Sequence, residues 1–328
     1  MPIKSIDKIS IIIPCYNASK TIDKCLNSLI NQTYNNMEII CINDNSKDNT
    51  LEKLKTYKNI IIINNKKNIG PAASRNKGLD KASGKYIGFV DADDYVDKTM
   101  YETMVSYIKK DVDMIACSRI NITKKGNTEI IHKDQIINSH NFSKTSNYIW
   151  DKLFKKEIID EYKIRFNDKY SYAEDFDFLL KYKYYSKGKI RIINKPLYFY
   201  NADSDNSITN SYQDNLMHII DVQKEEISFF KKENMFDKYY NELLTMSTAF
   251  YVRRVREFKK YNNKELQKRF VDEFLNFFEY NFKDDYKKSI NHFTGKNMFF
   301  RSSKKLMHIY IDVLNLRRKK WSINIKYQ

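Results

Sequence analysis

The sequence Ile87-Gly88-Phe89-Val90-Asp91-Ala92-Asp93-Asp94 decides the fold class, because a short apolar run leads directly into three carboxylates. Side chains alternate along a strand, so Asp91 and Asp93 are expected on the same side of the backbone. Two neighbouring carboxylates repel each other unless a cation lies between them, and carboxylate oxygens suit a hard divalent metal. Taken alone, the pattern also fits a solvated acidic turn after a strand.

The first hundred residues alternate apolar runs with amphipathic segments. Strands are predicted at residues 9–13, 37–42, 60–63 and 86–90, with helical patterns between them. This alternation favours a parallel sheet that is covered on both faces. Ligands of such sheets bind beyond the carboxyl ends of the strands, where the polar clusters after the first, second and fourth strands would meet. We therefore predict an α/β fold with a mostly parallel sheet flanked by helices.

The composition is that of a folded protein with a polyanionic partner. The chain has 328 residues, 42% of them hydrophobic, and a formal net charge of +17. This charge favours binding to a nucleic acid, a phosphate-rich substrate or an anionic membrane. The four cysteines form no Cys-x-x-Cys pair and lie mostly in apolar runs, so we expect reduced thiols and a cytoplasmic location. No signal peptide or transmembrane helix is predicted.

Seven short motifs follow one another between residues 11 and 211. The first four are Ile11-Ile-Ile-Pro-Cys-Tyr-Asn, Ile42-Asn-Asp-Asn-Ser-Lys-Asp-Asn-Thr, Asn68-Ile-Gly-Pro-Ala-Ala-Ser-Arg-Asn-Lys-Gly and Val90-Asp-Ala-Asp-Asp. The others are Trp150-Asp-Lys-Leu-Phe-Lys-Lys, Ala173-Glu-Asp and Ser207-Ile-Thr-Asn-Ser. In this order and spacing, they resemble the family-2 glycosyltransferases, and the last three are similar to bacterial capsule and cell-wall members. The resemblance implies a GT-A fold, a Rossmann-like sheet that binds nucleotide-diphospho-sugars.

The resemblance implies a pocket for a uridine nucleotide. Pro14, Tyr16 and Asn17 would form a wall of the nucleobase pocket. Asp44 would accept the imide N–H of uracil, a donor that cytosine lacks. The alternative for Asp44 is a structural carboxylate in a turn or at a helix start.

The resemblance also implies a metal-assisted diphosphate site. Asn68 and Arg75 would contact the nucleotide and the carboxylates of the metal site, because a guanidinium suits both groups. Asp91 would lie near the ribose and the metal, and Asp93 would be the principal ligand of Mn²⁺ or Mg²⁺. The metal would neutralise the leaving diphosphate. The alternatives are a surface position for Arg75 and a loop or capping role for Asp94.

Glu174 and Asp175 open a helical run that reaches about Tyr185. In the family, the aspartate of this pair is the general base that takes the proton of the acceptor hydroxyl. Attack from the face opposite the diphosphate would invert the anomeric centre without a covalent intermediate. Glu174 is the second candidate for the base. Alternatively, both acids only favour the helix N-terminus through its dipole.

The segments after Ile149 and after Tyr200 have residue types that fit more than one role. Trp150 fits either the core or a sugar-stacking platform, and Lys152, Lys155 and Lys156 are predicted on a solvated helix. The family often has Arg or His after the strand Tyr198-Phe-Tyr, where this chain has Asn201-Ala-Asp-Ser-Asp-Asn. A diphosphate contact from that loop is therefore in doubt.

The last third of the chain has helical patterns and no catalytic motif. Residues 287–328 contain eleven Lys or Arg and one acidic residue. Apolar residues recur between Phe299 and Leu316, which is typical of a basic amphipathic helix at an anionic membrane surface. Alternatively, this stripe packs on protein, including a second subunit. We predict a GT-A domain at 1–213, with nucleotide-sugar and acceptor halves at about 1–119 and 120–213, and a helical domain at 214–328.

The prediction is a metal-dependent, inverting hexosyl- or N-acetylhexosaminyltransferase. It would transfer a sugar from a UDP-sugar to a hydroxyl of a glycan, polymer or lipid-linked acceptor, on the inner face of the membrane. A sugar nucleotidyltransferase is the alternative enzyme, but neither it nor a dinucleotide or P-loop enzyme fits a chain of seven glycines without a glycine-rich phosphate loop. A nucleic-acid-binding protein is suggested by charge alone, without a recognition motif. No nucleic-acid partner is expected, and a homo-oligomer is left open.

Overall fold

The computed structural model describes residues 7–141, 145–170, 173–203, 217–258 and 264–294. The chain divides into two compact units, residues 1–211 and 212–328. The predicted membrane segment between Phe299 and Leu316 and the Ser207-Ile-Thr-Asn-Ser motif lie outside the described residues.

The first unit is built on a ten-stranded sheet. Its strands are β1 (Ile9–Cys15), β2 (Met37–Asn43), β3 (Ile60–Asn64), β4 (Tyr86–Phe89), β5 (Tyr95–Val96), β6 (Val112–Thr123), β7 (Gly126–Ile130), β8 (Gln135–Asn138), β9 (Lys152–Lys155) and β10 (Lys189–Asn201). Its helices are α1 (Ile22–Ile30), α2 (Thr50–Thr56), α3 (Gly70–Lys81), α4 (Met100–Ser106), α5 (Lys156–Glu161) and α6 (Glu174–Tyr185). The strand order is β3-β2-β1-β4-β9-β6-β10-β5, with β7 beside β6 and β8 beside β10.

The strands that lead into the polar loops are parallel. β1 pairs in parallel with β2 and β4, and β2 pairs in parallel with β3. Along β1, Ile11 and Ile13 pack in one apolar cluster and Ile12 in the other, so both faces are covered. This double burial explains the continuous apolar runs. β9 pairs antiparallel with β4 and β6, so the rest of the sheet is mixed. The α/β prediction is confirmed.

Gly78 allows α3 to lie close against β1. A Cβ atom at this position would overlap the side chain of Ile12. Arg75, one helical turn earlier, is consequently held against the sheet, and its side chain is 6% exposed.

The prediction of a solvated basic helix after Trp150 is wrong for Lys152. Residues Lys152–Lys155 form β9, and the helix begins at Lys156. The side chains of Lys152 and Asp151 are fully buried, and the ammonium lies 2.5 Å from Asp151 Oδ1. The ammonium also donates hydrogen bonds to Ser146 Oγ and to the carbonyl of Tyr148, both at 2.6 Å. A buried charge with these partners can occupy a strand in the core.

The second unit is helical, as predicted. Its helices are α7 (His218–Lys232), α8 (Tyr240–Phe258), α9 (Lys264–Phe282) and α10 (Asp285–Thr294). Buried aromatic rings, among them Phe270, Phe274 and Phe278, form its core. Within the described ranges, no helix is both long enough and apolar enough to span a bilayer. In the first unit, all four cysteines are buried and free.

Glu38 of β2 contacts residues at the start of β1 and in the turn before β4. Its carboxylate lies 2.8 Å from the Lys8 ammonium and accepts hydrogen bonds from Ser10 Oγ at 2.5 Å and from the Ser83 N–H at 2.7 Å. Burial alone would raise the pKa of Glu38, but these donors outweigh it and lower the pKa to about 2.

We expect Glu38→Gln to lower the free energy of unfolding by about 1–2 kcal/mol at pH 7, because it removes hydrogen bonds to a charged acceptor. The pKa of Glu38 is lowered by folding, so its contribution is complete above the unfolded-state pKa of about 4.3. The contribution is lost as the pH falls towards 2. Denaturant unfolding of both proteins should give a difference that is constant from neutral pH to about pH 5 and then shrinks. Glu52→Gln, at an exposed site on α2, is the matched control. An equal effect of both variants would contradict this assignment.

Candidate active site

The loops after β1 and β2 form one wall at the carboxyl edge of the sheet. The Asp44 N–H donates to the Cys15 carbonyl at 2.8 Å, which continues the ladder between the two strands. Asn17 adopts a positive φ of 50°. Its Oδ1 accepts from the Lys47 N–H at 2.8 Å, and its own N–H donates to Ser46 Oγ at 3.1 Å. The structure therefore places the predicted nucleobase segment beside the loop that follows Asp44.

The other two residues predicted for this pocket lie in the same turn. Pro14 is half-buried, and Tyr16, directly after the buried strand β1, is 47% exposed. An exposed ring at a strand end is available for contact with a planar ligand.

The Asp44 carboxylate already has three donors from the protein. It accepts from the Ile69 N–H at 2.9 Å, the Gly70 N–H at 2.8 Å and Asn65 Nδ2 at 2.9 Å. These bonds hold the first turn of α3, where an anion also suits the helix dipole. The structural alternative for Asp44 thus has direct geometric support, and its predicted bond to uracil stays a prediction. Asn68, just before this turn, is exposed.

Arg75 joins three carboxylates that come from distant parts of the sequence. Its Nη2 lies 2.9 Å from Asp91 Oδ1, and its Nη1 lies 3.0 Å from Glu174 Oε1 and 3.1 Å from Asp175 Oδ1. The surface alternative for Arg75 is therefore wrong. Burial alone would lower the pKa of the guanidinium, but Asp175, Asp91 and Glu174 raise it, so the side chain stays charged. The structure thus brings Arg75 together with three other predicted site residues, Asp91, Glu174 and Asp175.

Asp91, Asp93 and Asp94 lie in a tight turn that follows β4. The Asp94 N–H donates to the Asp91 carbonyl at 3.0 Å. Asp94 is 1% exposed and accepts from the Tyr198 hydroxyl at 2.6 Å and from the Asn201 N–H at 2.7 Å. Burial and the charges of Asp91 and Asp93 raise the pKa of Asp94 well above its ordinary value. Asp94 thus connects the acidic turn to β10.

A divalent cation fits the chemistry of this turn. The carboxyl oxygens are hard ligands. The pKa of Asp94 is raised first by burial and then by the negative charges of Asp91 and Asp93, which a cation would offset. Among the described residues, no group of three or more His, Cys, Asp or Glu side chains is arranged as a metal site. Mg²⁺ in nucleotide sites uses one or two carboxylates and takes its other ligands from phosphates and water. Asp91 and Asp93 meet that smaller requirement.

Glu174 and Asp175 begin α6, as predicted. The preceding Ala173 has a φ of 68°, a left-handed conformation that turns the chain sharply into the helix. The Glu174 and Asp175 side chains are 11% and 21% exposed. Burial raises the pKa of Asp175 to about 8, although Arg75 counteracts it, and Glu174 and Asp91 add to the rise. A carboxyl group with this pKa is a stronger base than an ordinary aspartate once it has lost its proton.

Trp150 belongs to the core, because it is 3% exposed. Its ring stacks on Tyr198 at 4.3 Å, on Tyr148 at 4.8 Å and on Tyr200 at 5.4 Å between centroids. Tyr198, whose hydroxyl donates to Asp94, is a site residue that the sequence motifs did not indicate. Period-2 alternation along β10, which places Tyr198 and Tyr200 on one face, is the signal that could have indicated it.

The chain is similar to known glycosyltransferases in sequence and in structure. The model of the family described as Glycosyl transferase family 2 matches residues 10–172. The chain is 30% identical over 265 residues to the cholesterol galactosyltransferase of Borreliella burgdorferi. This alignment covers 71% of this chain and 72% of that protein. It is also 43% identical over 118 residues to YibD, an uncharacterized glycosyltransferase of Escherichia coli. This alignment covers 35% of this chain and 34% of YibD, so the chain spans about a third of that relative.

Among solved structures, residues 1–349 of Staphylococcus aureus TarS in complex with UDP-GlcNAc are similar, with a TM-score of 0.69. The match covers 90% of this chain and 93% of that one at 20% identity, a likeness that confirms the predicted GT-A fold. Three findings therefore agree: the match to the family model, the GT-A fold, and a relative aligned over most of the chain. It belongs to glycosyl transferase family 2 and is a glycosyltransferase.

Proposed function

We propose that this glycosyltransferase moves a sugar from a UDP-sugar to a hydroxyl of a glycan, polymer or lipid-linked acceptor, with inversion. One observation carries the proposal: a single guanidinium holds Asp91, at the end of β4, and Asp175, at the start of α6, at 2.9 and 3.1 Å. A donor bound at the acidic turn would therefore lie within reach of a carboxylate that can act as base. Proximity of this kind is a main source of catalytic rate.

On the donor side, the proposed residues fix the uridine and the diphosphate. Tyr16 would contact the base, and Asp44 would read its imide N–H by sharing the carboxylate that now holds α3. Asp91 and Asp93 would hold a Mn²⁺ or Mg²⁺ ion. When bound, the ion supplies positive charge that neutralises the leaving UDP. Arg75 would keep Asp91 oriented towards this site.

On the acceptor side, Asp175 would remove the proton of the attacking hydroxyl. The oxygen then bonds to the anomeric carbon while the bond to the diphosphate breaks, and the proton stays on the carboxyl group. Arg75 would favour the ionised form of Asp175, since its positive charge lowers the pKa of that group. One base is sufficient for this single displacement, and the configuration at the anomeric carbon is inverted. Membrane attachment, a cytoplasmic location and self-association stay predictions.

The metal and the nucleotide should bind together. We expect titration calorimetry to detect UDP binding in the presence of Mn²⁺ that weakens strongly with EDTA, and weaker binding of CDP. Asp93→Asn should reduce both the affinity for UDP and the effect of the metal, because a carboxylate ligand is removed. Asp80→Asn is the control, since Asp80 is an exposed partner of Arg165. UDP binding that is indifferent to metal and to Asp93→Asn would refute the donor site.

Replacing Asp175 with Asn should lower kcat by roughly 10²–10⁴-fold and leave UDP affinity nearly intact, which is the usual effect of losing a general base. In the unsubstituted enzyme, kcat should rise with pH through the region around 8, because the base acts after losing its proton. Assays with a panel of UDP-sugars and acceptors between pH 6 and 9 test both statements. Glu174→Gln is the matched variant, because Glu174 shares the contact with Arg75. Full activity of Asp175→Asn beside an inactive Glu174→Gln would move the base to Glu174.

Arg75→Gln should shift the rising limb of the pH profile to higher pH, because Asp175 loses the cation that lowers its pKa. We also expect a fall in kcat of at least tenfold, because Asp91 and Asp175 lose their shared donor. Arg75→Lys retains charge and should shift the profile less. Arg165→Gln, which breaks an exposed ion pair with Asp80, should leave the profile in place. An unchanged profile in Arg75→Gln would show that Arg75 is only a structural residue.

A further inference from the structure

Arg119 differs from the other arginines of the first unit. Arg75, Arg165 and Arg191 each lie within 4.0 Å of a carboxylate. Arg119 is half-buried on β6, and its Nε donates to Asn121 Oδ1 at 3.0 Å. Among the described residues, it has no acidic partner, and its two terminal NH₂ groups have no hydrogen bond. A half-buried guanidinium with free donors is suited to an anionic ligand.

The guanidinium of Arg119 lies over two aromatic rings. Its central carbon lies 5.1 Å from the ring centroid of Tyr148 and 5.5 Å from that of Trp150. In this arrangement, the ring faces stabilise the cation. The two terminal NH₂ groups stay available to a phosphate or carboxylate, which a guanidinium can bind in a bidentate manner.

The same rings lead from Arg119 to the acidic turn. Trp150 stacks on Tyr198 at 4.3 Å, and the Tyr198 hydroxyl bonds to Asp94 at 2.6 Å. Arg119 and Tyr198 are register neighbours in the parallel pair of β6 and β10. The half-buried Tyr200 also lies near this turn, since burial and then the charge of Asp94 raise the pKa of its phenol.

The sheet topology separates Arg119 from the donor loops. The proposed uridine and diphosphate residues follow β1, β2 and β4, whereas Arg119 is on β6, beyond β9 in the strand order. A ligand that spans from the Asp91 turn to Arg119 would therefore lie over Tyr200 and Tyr148, on the acceptor half. Tyrosine side chains are well suited to contact sugar rings, with an apolar face and a polar tip.

We propose that Arg119 binds an anionic group of the acceptor, a phosphate or a carboxylate, while Tyr148 and Tyr200 contact the adjoining sugar or polyol. The acceptor would thus be an acidic glycan: a phosphodiester-linked polymer or a uronate-containing oligosaccharide. This inference rests on the proposed function, because it assigns the acceptor of the same site.

The test compares three probes on the full chain with UDP and Mn²⁺ present: a ribitol phosphate oligomer, an oligouronate and a neutral chito-oligosaccharide of the same length. We expect calorimetry to show at least tenfold tighter binding of one acidic probe than of the neutral one, with a preference that falls as salt rises. The acidic probe that binds identifies the anion as phosphate or carboxylate. Arg119→Gln should abolish the preference, and Arg119→Lys should keep part of it because the charge remains.

Arg191→Gln is the matched control, because this guanidinium also lies over a tyrosine ring, at 4.6 Å from Tyr107, but is paired with Asp134. It should keep the preference for the acidic probe. The inference is overturned if the unsubstituted enzyme prefers neither acidic probe, or if Arg119→Gln retains the preference. It is also overturned if Arg119→Gln loses affinity for UDP to the same degree, because Arg119 would then belong to the donor site. Failure of the unsubstituted enzyme to bind UDP would instead contradict the proposed function.

Discussion

The contact of Arg75 with Asp91, Glu174 and Asp175 is the interaction on which the site depends. Three partly buried carboxylates at one site repel one another, and removing each from water is costly unless a cation accompanies it. Arg75 supplies that cation from α3, while the acids come from the end of β4 and the start of α6. One positive charge against three negative ones leaves the site acidic. In a chain of net charge +17, this local excess of negative charge favours the binding of a small cation beside the carboxylates.

A second connection runs through Asp94. Its buried carboxylate binds the Tyr198 hydroxyl and the Asn201 N–H, and the Asp91 N–H donates to the same hydroxyl at 3.2 Å. The acidic turn is therefore fixed from two directions, by Arg75 on one side and by β10 on the other. Two anchors of this kind hold Asp91 in place more firmly than either alone. They also make β10 part of the site, although it follows β4 by about a hundred residues.

The parallel half of the sheet was predictable because burial on both faces requires apolar runs, and a run such as Ile11 to Ile13 has few other interpretations. The acidic turn was predictable because Asp91 and Asp93 directly follow such a run. The buried pair of Asp151 and Lys152 was not, since charged letters after a tryptophan indicate solvent until their tertiary partners are known. Asp44 shows the same limit: its residue type predicts an acceptor, but its actual donors are Asn65 and the N–H groups of Ile69 and Gly70, where α3 begins.

Asp44 connects the predicted nucleotide site to the helix that carries Arg75. Its carboxylate holds the N–H groups of Ile69 and Gly70, and the helix that starts there carries Arg75. A uracil that competes for this carboxylate would change what secures the first turn of α3, and α3 in turn positions the carboxylate of Asp175. Such a linkage would couple occupancy of the nucleotide site to the position of Asp175 through one helix.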